Sequence, residues 1–103
     1  NIIESEENRR ITLAVVLGEI VSVFLRRGMD PAVAISALRT LSKIESVDED
    51  LAIAAGNVHA EMRKKIKDFG ITDAYLVAYS RKNNFKIITG DKHFNSVKNV
   101  LMI

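Results

Sequence analysis

Three acidic residues, Glu19, Asp73 and Asp91, each border one of the most apolar segments of the chain: Glu19 follows ITLAVVLG, Asp73 precedes AYLVAY and Asp91 follows FKIITG. A carboxylate beside a core is costly to leave unpaired, so such a group is protonated, matched to a cation or bound to a metal. The other acids have plainer readings. Glu4, Glu6 and Glu7 lie in a polar leader with Arg9 and Arg10, Asp30 and Asp48 stand where helices begin, and Glu49 and Asp50 fall in a first helical turn, where negative charge complements the dipole. Glu61 is spaced to pair with Lys65, Asp68 sits among lysines, and Glu45 faces solvent on a short edge strand. Taken singly, each of the three has an equally plain reading: Glu19 as a dipole partner, Asp73 as a helix cap, Asp91 as a turn residue beside Gly90. Their convergence on one edge of a sheet sets them apart.

A cluster of three carboxylates without His or Cys suits a hard, oxygen-seeking ion such as Mg²⁺ or Mn²⁺. With no cysteine, the chain has no thiolate ligand, disulfide or thiol nucleophile, and a reducing cytoplasm is the compartment expected. No Ser-His-Asp spacing and no glycine-rich phosphate loop is present. His59, between Val58 and Ala60, and His93, beside Phe94, read as packing or surface residues, and Tyr75 and Tyr79, four apart on an apolar helix, read as core. Arg63, Lys64, Lys65 and Lys67 form the densest positive run and read as a solvated face; Lys92, next to Asp91, is better placed to contact a phosphate.

The elements that must position these groups alternate. Ile11 to Val16 reads as a strand, Gly18 to Arg27 as a helix ended by Gly28, and Asp30-Pro31 starts another that runs to about Ser42. Ile44 to Val47 reads as a short strand, and Asp48 caps a helix whose stripe is Leu51, Ala55, Val58, Met62 and Ile66. Thr72 to Asn83 is apolar nearly all round and reads as a helix buried on both sides. Phe85 to Thr89 is a strand, His93 to Lys98 a turn, and Val100 to Ile103 the last strand. The 103 residues make one domain, and strands alternating with helices predict a mostly parallel sheet covered on both faces. Ligand sites in such sheets gather beyond the carboxyl ends of the strands, where Glu19 and Asp91 follow their strands and the helix of Asp73 begins. A net charge of +2 permits a polyanionic partner without demanding one, and the apolar runs are too short to span a bilayer.

The segments LGEIVSVFLRRG, GITDAYLVAYSRKNNFKIITGD and DKHFNSVKNVLMI together resemble a PIN-domain ribonuclease of the VapC toxin type, from Ile11 to the C-terminus. The resemblance implies a three-layer α/β/α fold and a metal-dependent endoribonuclease, with Glu19, Asp73 and Asp91 as catalytic metal ligands for Mg²⁺ or Mn²⁺ and Thr89 as a supporting polar group. It also implies an RNA substrate, a homodimer and a small antitoxin partner. The family opens with a strand that lies mid-sheet and ends in a further acidic ligand. Nothing before Ile11 fits that pattern, so the chain reads as a PIN-like domain missing its N-terminal strand, either truncated or with that piece supplied separately. Two alternatives stand beside the toxin: another PIN nuclease in RNA processing, and a catalytically silent PIN-like binding or dimerisation module.

Overall fold

A computed structural model describes residues 2–4, 9–89 and 100–102. The elements run β1 (Ile2–Glu4), β2 (Arg10–Leu13), α1 (Ala14–Arg26), α2 (Ala32–Leu41), β3 (Lys43–Glu45), α3 (Glu49–Arg63), α4 (Ile71–Asn83), β4 (Lys86–Thr89) and β5 (Val100–Met102). The strands form one sheet in the order β3-β2-β1-β4-β5. β2 and β3 pair in parallel, as do β4 and β5, whereas β1 is antiparallel to both β2 and β4. Four strands therefore point one way, and the middle strand points the other. The domain is the expected three-layer α/β/α fold, with a mixed sheet.

The middle of the sheet is not vacant. The expectation of a missing inner strand is not confirmed: β1, antiparallel to both neighbours, stands there, with Ile3 opposite Ile11 on one side and Ile87 on the other. All three are buried, and Ile3 is fully enclosed. An open slot between β2 and β4 would leave two rows of backbone donors and acceptors unpaired, and β1 satisfies both.

Local chemistry accounts for the helices. α1 begins at Ala14, directly after Leu13, so Val15 and Val16, which read as strand, are helical; both pack on the core and Gly18 lies inside the helix. The helix closes in a Schellman motif: the Met29 N–H donates to the Phe24 carbonyl (2.8 Å), the Gly28 N–H to that of Leu25 (3.1 Å), and Gly28 takes φ +69°. Asp48 accepts from the Leu51 N–H (2.8 Å) and is the cap its position predicts, whereas Asp30 stands one residue ahead of the N-cap Pro31 and accepts from the Ala32 N–H (2.9 Å). Leu51 and Ala55 are buried on α3, with Val58, Met62 and Ile66 packed against the core. α4 buries Ala74, Leu76, Val77, Ala78 and Ser80, the all-round burial its composition predicts.

Two polar contacts fix the connections. The Ser80 hydroxyl donates to the Phe85 carbonyl (2.6 Å), and the Phe85 N–H returns a bond to the Ser80 carbonyl (3.0 Å), around Asn84 in the left-handed region. This tight reversal sends α4 into β4. His59 Nε2 lies 3.1 Å from the Phe69 carbonyl oxygen and ties α3 to the approach to α4, a packing role. Glu61 pairs with Lys64 (3.3 Å) rather than with Lys65.

Candidate active site

The register sets which acids share an edge. Because β2 and β4 point the same way, Leu13 and Thr89 end their strands on one side of the sheet. α1 continues from Leu13 without a loop, which places Glu19 in its second turn, about 9 Å along the helix at 1.5 Å per residue. α4 packs against β4 and enters it through the Asn84 reversal, so its first turn, holding Asp73, lies at that same carboxyl edge. α1 and α4 touch. The structure thus brings the helices that carry Glu19 and Asp73 into contact.

The two carboxylates differ in setting. Glu19 is exposed, and its neighbours one turn back, Val15 and Val16, and one residue on, Ile20, all pack on the core. Asp73 is half-buried, directly above Leu76 and Val77 on the fully enclosed face of α4. Its Oδ2 lies 3.8 Å from where a Cβ on Gly70, the N-cap residue, would be, so the carboxylate sits at the electropositive start of its own helix. That position suits both a helix-end role and a ligand role. Asp91 and Lys92 lie outside the described residues; Thr89 ends β4, and only its backbone is described. Among the described residues no group of three or more His, Asp or Glu is close enough to hold a metal ion.

Glu4 does not join this edge. The reversed β1 sets it opposite Arg10 and Lys86, the first residues of β2 and β4, and its Oε2 lies 3.3 Å from the Arg10 Nε. Glu45 ends β3 opposite Leu13, but its carboxylate is 3.5 Å from the Lys43 ammonium and lines a cleft with Tyr79. Tyr79 meets the Phe85 ring edge to face at 5.5 Å, and burial, reinforced by Glu45, raises its phenol above the ordinary value of 10. Both tyrosines pack against the core, as their helix predicts.

The profile of the PIN domain matches residues 1–100. The chain belongs to the PIN-domain family. The match extends ahead of Ile11, where the sequence motifs begin, to take in β1. Neither the curated proteins nor the solved structures give a match. PIN domains are generally nucleases that act on RNA and typically use divalent metals such as Mg²⁺ or Mn²⁺. The hard-oxygen character of Glu19 and Asp73 fits such an ion. Among the described residues no helix is long and apolar enough to cross a membrane.

Sequence reading missed β1 altogether, together with a second consequence of the register: Arg10, Lys43 and Lys86 each open a strand. A cation immediately before or within the start of each apolar run is the signal that marks this row.

Proposed function

We propose that this PIN domain is a metal-dependent endoribonuclease that hydrolyses RNA phosphodiester bonds, the toxin of a VapBC-type toxin-antitoxin pair. The observation that supports the reading is the contact of α1, which follows β2 and carries Glu19, with α4, whose first turn carries Asp73. Glu19, Asp73 and Asp91 would hold Mg²⁺ or Mn²⁺. The bound ion supplies activation of water and neutralises charge on the scissile phosphate. Asp73 stands in the first turn of α4, one turn ahead of the enclosed Leu76 and Val77. Glu19, exposed in the second turn of α1, stands open to a large substrate. Thr89 supports the cluster from the end of β4, and Lys92 contacts a substrate phosphate.

A homodimer, and beyond it an antitoxin that covers the site, completes this reading. Exposed apolar side chains near and on α2 support the dimer: Leu25 (60% exposed), Met29 (43%), Val33 (77%) and Leu41 (55%). Sedimentation would show Val33→Asp moving toward a monomer; a monomeric unsubstituted chain would remove this part.

The reversed β1 favours a second reading. With Glu4 at the far edge, no β1 carboxylate joins Glu19 and Asp73, as expected of a catalytically silent binding or dimerisation module. RNA cleavage with Mn²⁺ separates the readings. Asp73→Asn is isosteric, so a ligand role predicts loss of cleavage with the fold kept, whereas a mere helix-end role predicts about 1 kcal/mol of lost stability and no cleavage by either protein.

A further inference from the structure

We infer that the chain carries a second ligand site, for a nucleoside monophosphate group, in a cleft that runs from the amino ends of β2 and β3 to Glu45, the last residue of β3. The cleft is open and measures about 480 Å³, within the range that holds a small organic ligand. Its cationic wall is Arg9, Arg10 and Lys43, and among the described residues Glu45 is the carboxylate that lines it. Its aromatic wall is Tyr79 and Phe85. A smaller cavity of about 160 Å³ shares Glu45, Tyr79 and Asn83 with it and adds Lys82 and Asp48.

The charge is a property of the sheet rather than of scattered surface lysines. Arg10, Lys43 and Lys86 are the first residues of β2, β3 and β4, and Arg9 precedes the first of them, so the strands that point the same way present a cation row on one edge. Glu4 and Glu45 partly balance the row through their pairs with Arg10 (3.3 Å) and Lys43 (3.5 Å). Both pairs involve exposed cations, so a phosphate with more charge than a carboxylate competes effectively for the same guanidinium and ammonium groups.

The second wall selects a ring. The exposed Arg9 places its guanidinium 5.7 Å from the centre of the Phe85 ring, and Phe85 is itself buried and held edge-on by Tyr79. A guanidinium backed by an aromatic ring is a planar platform on which a nucleobase stacks. Asn83 donates its amide N–H to the Tyr79 carbonyl (3.1 Å), which leaves its amide oxygen as an acceptor for a base N–H. Phosphate recognition next to a stacking platform, in a volume of this size, is the chemistry of a nucleotide. It suits a free nucleoside monophosphate and the phosphorylated 5′ end of an RNA alike. The recognition proposed for this cleft uses no metal.

The test is an amide NMR titration of the whole chain in EDTA, with 5′-AMP, adenosine and a 5′-phosphorylated tetra-adenylate as probes. The expected result is saturable shifts at Arg9, Arg10, Lys43 and Asn83, AMP binding about tenfold or more tighter than adenosine, and affinity falling with salt. Saturation by AMP identifies the free nucleotide as sufficient; saturation by the tetranucleotide alone identifies an RNA end, and either supports the site. Lys43→Gln, an exposed position, is expected to weaken the binding probe about three- to tenfold with the rest of the spectrum unchanged. Absence of saturable shifts with all three probes, equal affinity for adenosine and AMP, or full affinity in folded Lys43→Gln would overturn the inference.

Discussion

Glu4 faces Arg10 across the β1–β2 ladder, with its Oε2 3.3 Å from the Arg10 Nε, a pairing that follows from the antiparallel direction of β1. An acid at the end of a strand parallel to β2 would lie beside Glu19 and Asp73. The acid that ends the reversed β1 lies instead among the cations that open β2 and β4. Glu4→Gln is therefore expected to leave Mn²⁺ affinity unchanged and to cost less than about 1 kcal/mol in chemical denaturation, since Arg10 is half exposed. A large drop in metal affinity would show that Glu4 belongs to the carboxylate edge after all.

β1 is three residues long, yet its central side chain is enclosed between Ile11 and Ile87. Truncating Ile3 to Ala leaves a void in the centre of the sheet that its neighbours cannot fill without moving the ladder. A loss of about 2–5 kcal/mol is expected in urea unfolding. A loss below about 1 kcal/mol would mean that β1 is dispensable to the sheet.

How far the sequence speaks depends on the range of the contacts involved. α3 and α4 were legible because their patterns are local: the stripe from Leu51 to Ile66, the Asp48 cap and the all-round apolar run after Asp73 each reappear in the fold. Ile11 to Val16 was misread in its second half. Val15 and Val16 are β-branched and suit a strand, but packing against the core outweighs that weak preference and starts α1 at Ala14. β1 was illegible for the opposite reason: Ile2-Ile3-Glu4 carries no periodicity, and its place is set by partners at Ile11 and Ile87, far along the chain. The places of Glu19 on the helix after β2 and of Asp73 at the start of α4 followed from the order of elements alone, while Asp91 and Lys92 lie beyond the described residues.

Gly18 illustrates the misread boundary. It lies inside α1, and a Cβ there meets nothing within 4 Å. Gly18→Ala removes backbone freedom from the unfolded chain without a clash, so thermal unfolding should show a gain of about 0.5–1 kcal/mol. Destabilisation would place a helix break at this residue, as the apolar pattern alone predicts.

Tyr79 makes a pH-dependent contribution. Burial first, and the nearby Glu45 second, raise its phenol above 10, while Arg9 acts in the opposite sense. The folded state then holds the proton more tightly than the unfolded state, so the contribution is complete below pH 10 and is lost as pH rises through the folded value. Between the two values the unsubstituted protein should lose stability with pH more steeply than Tyr79→Phe. Parallel curves for the two proteins would show that the phenol does not respond to its surroundings.

The central claim is that negative side chains from separate elements meet at one rim of the sheet to hold a hard cation. Paramagnetic broadening of amide NMR signals by substoichiometric Mn²⁺ reads that location residue by residue. Signals around Glu19 and Asp73 should vanish first while those of Glu4 and Arg10 persist, and Asp73→Asn should abolish the effect. Broadening centred on Glu45 and Asp48, or none at any residue, would contradict it.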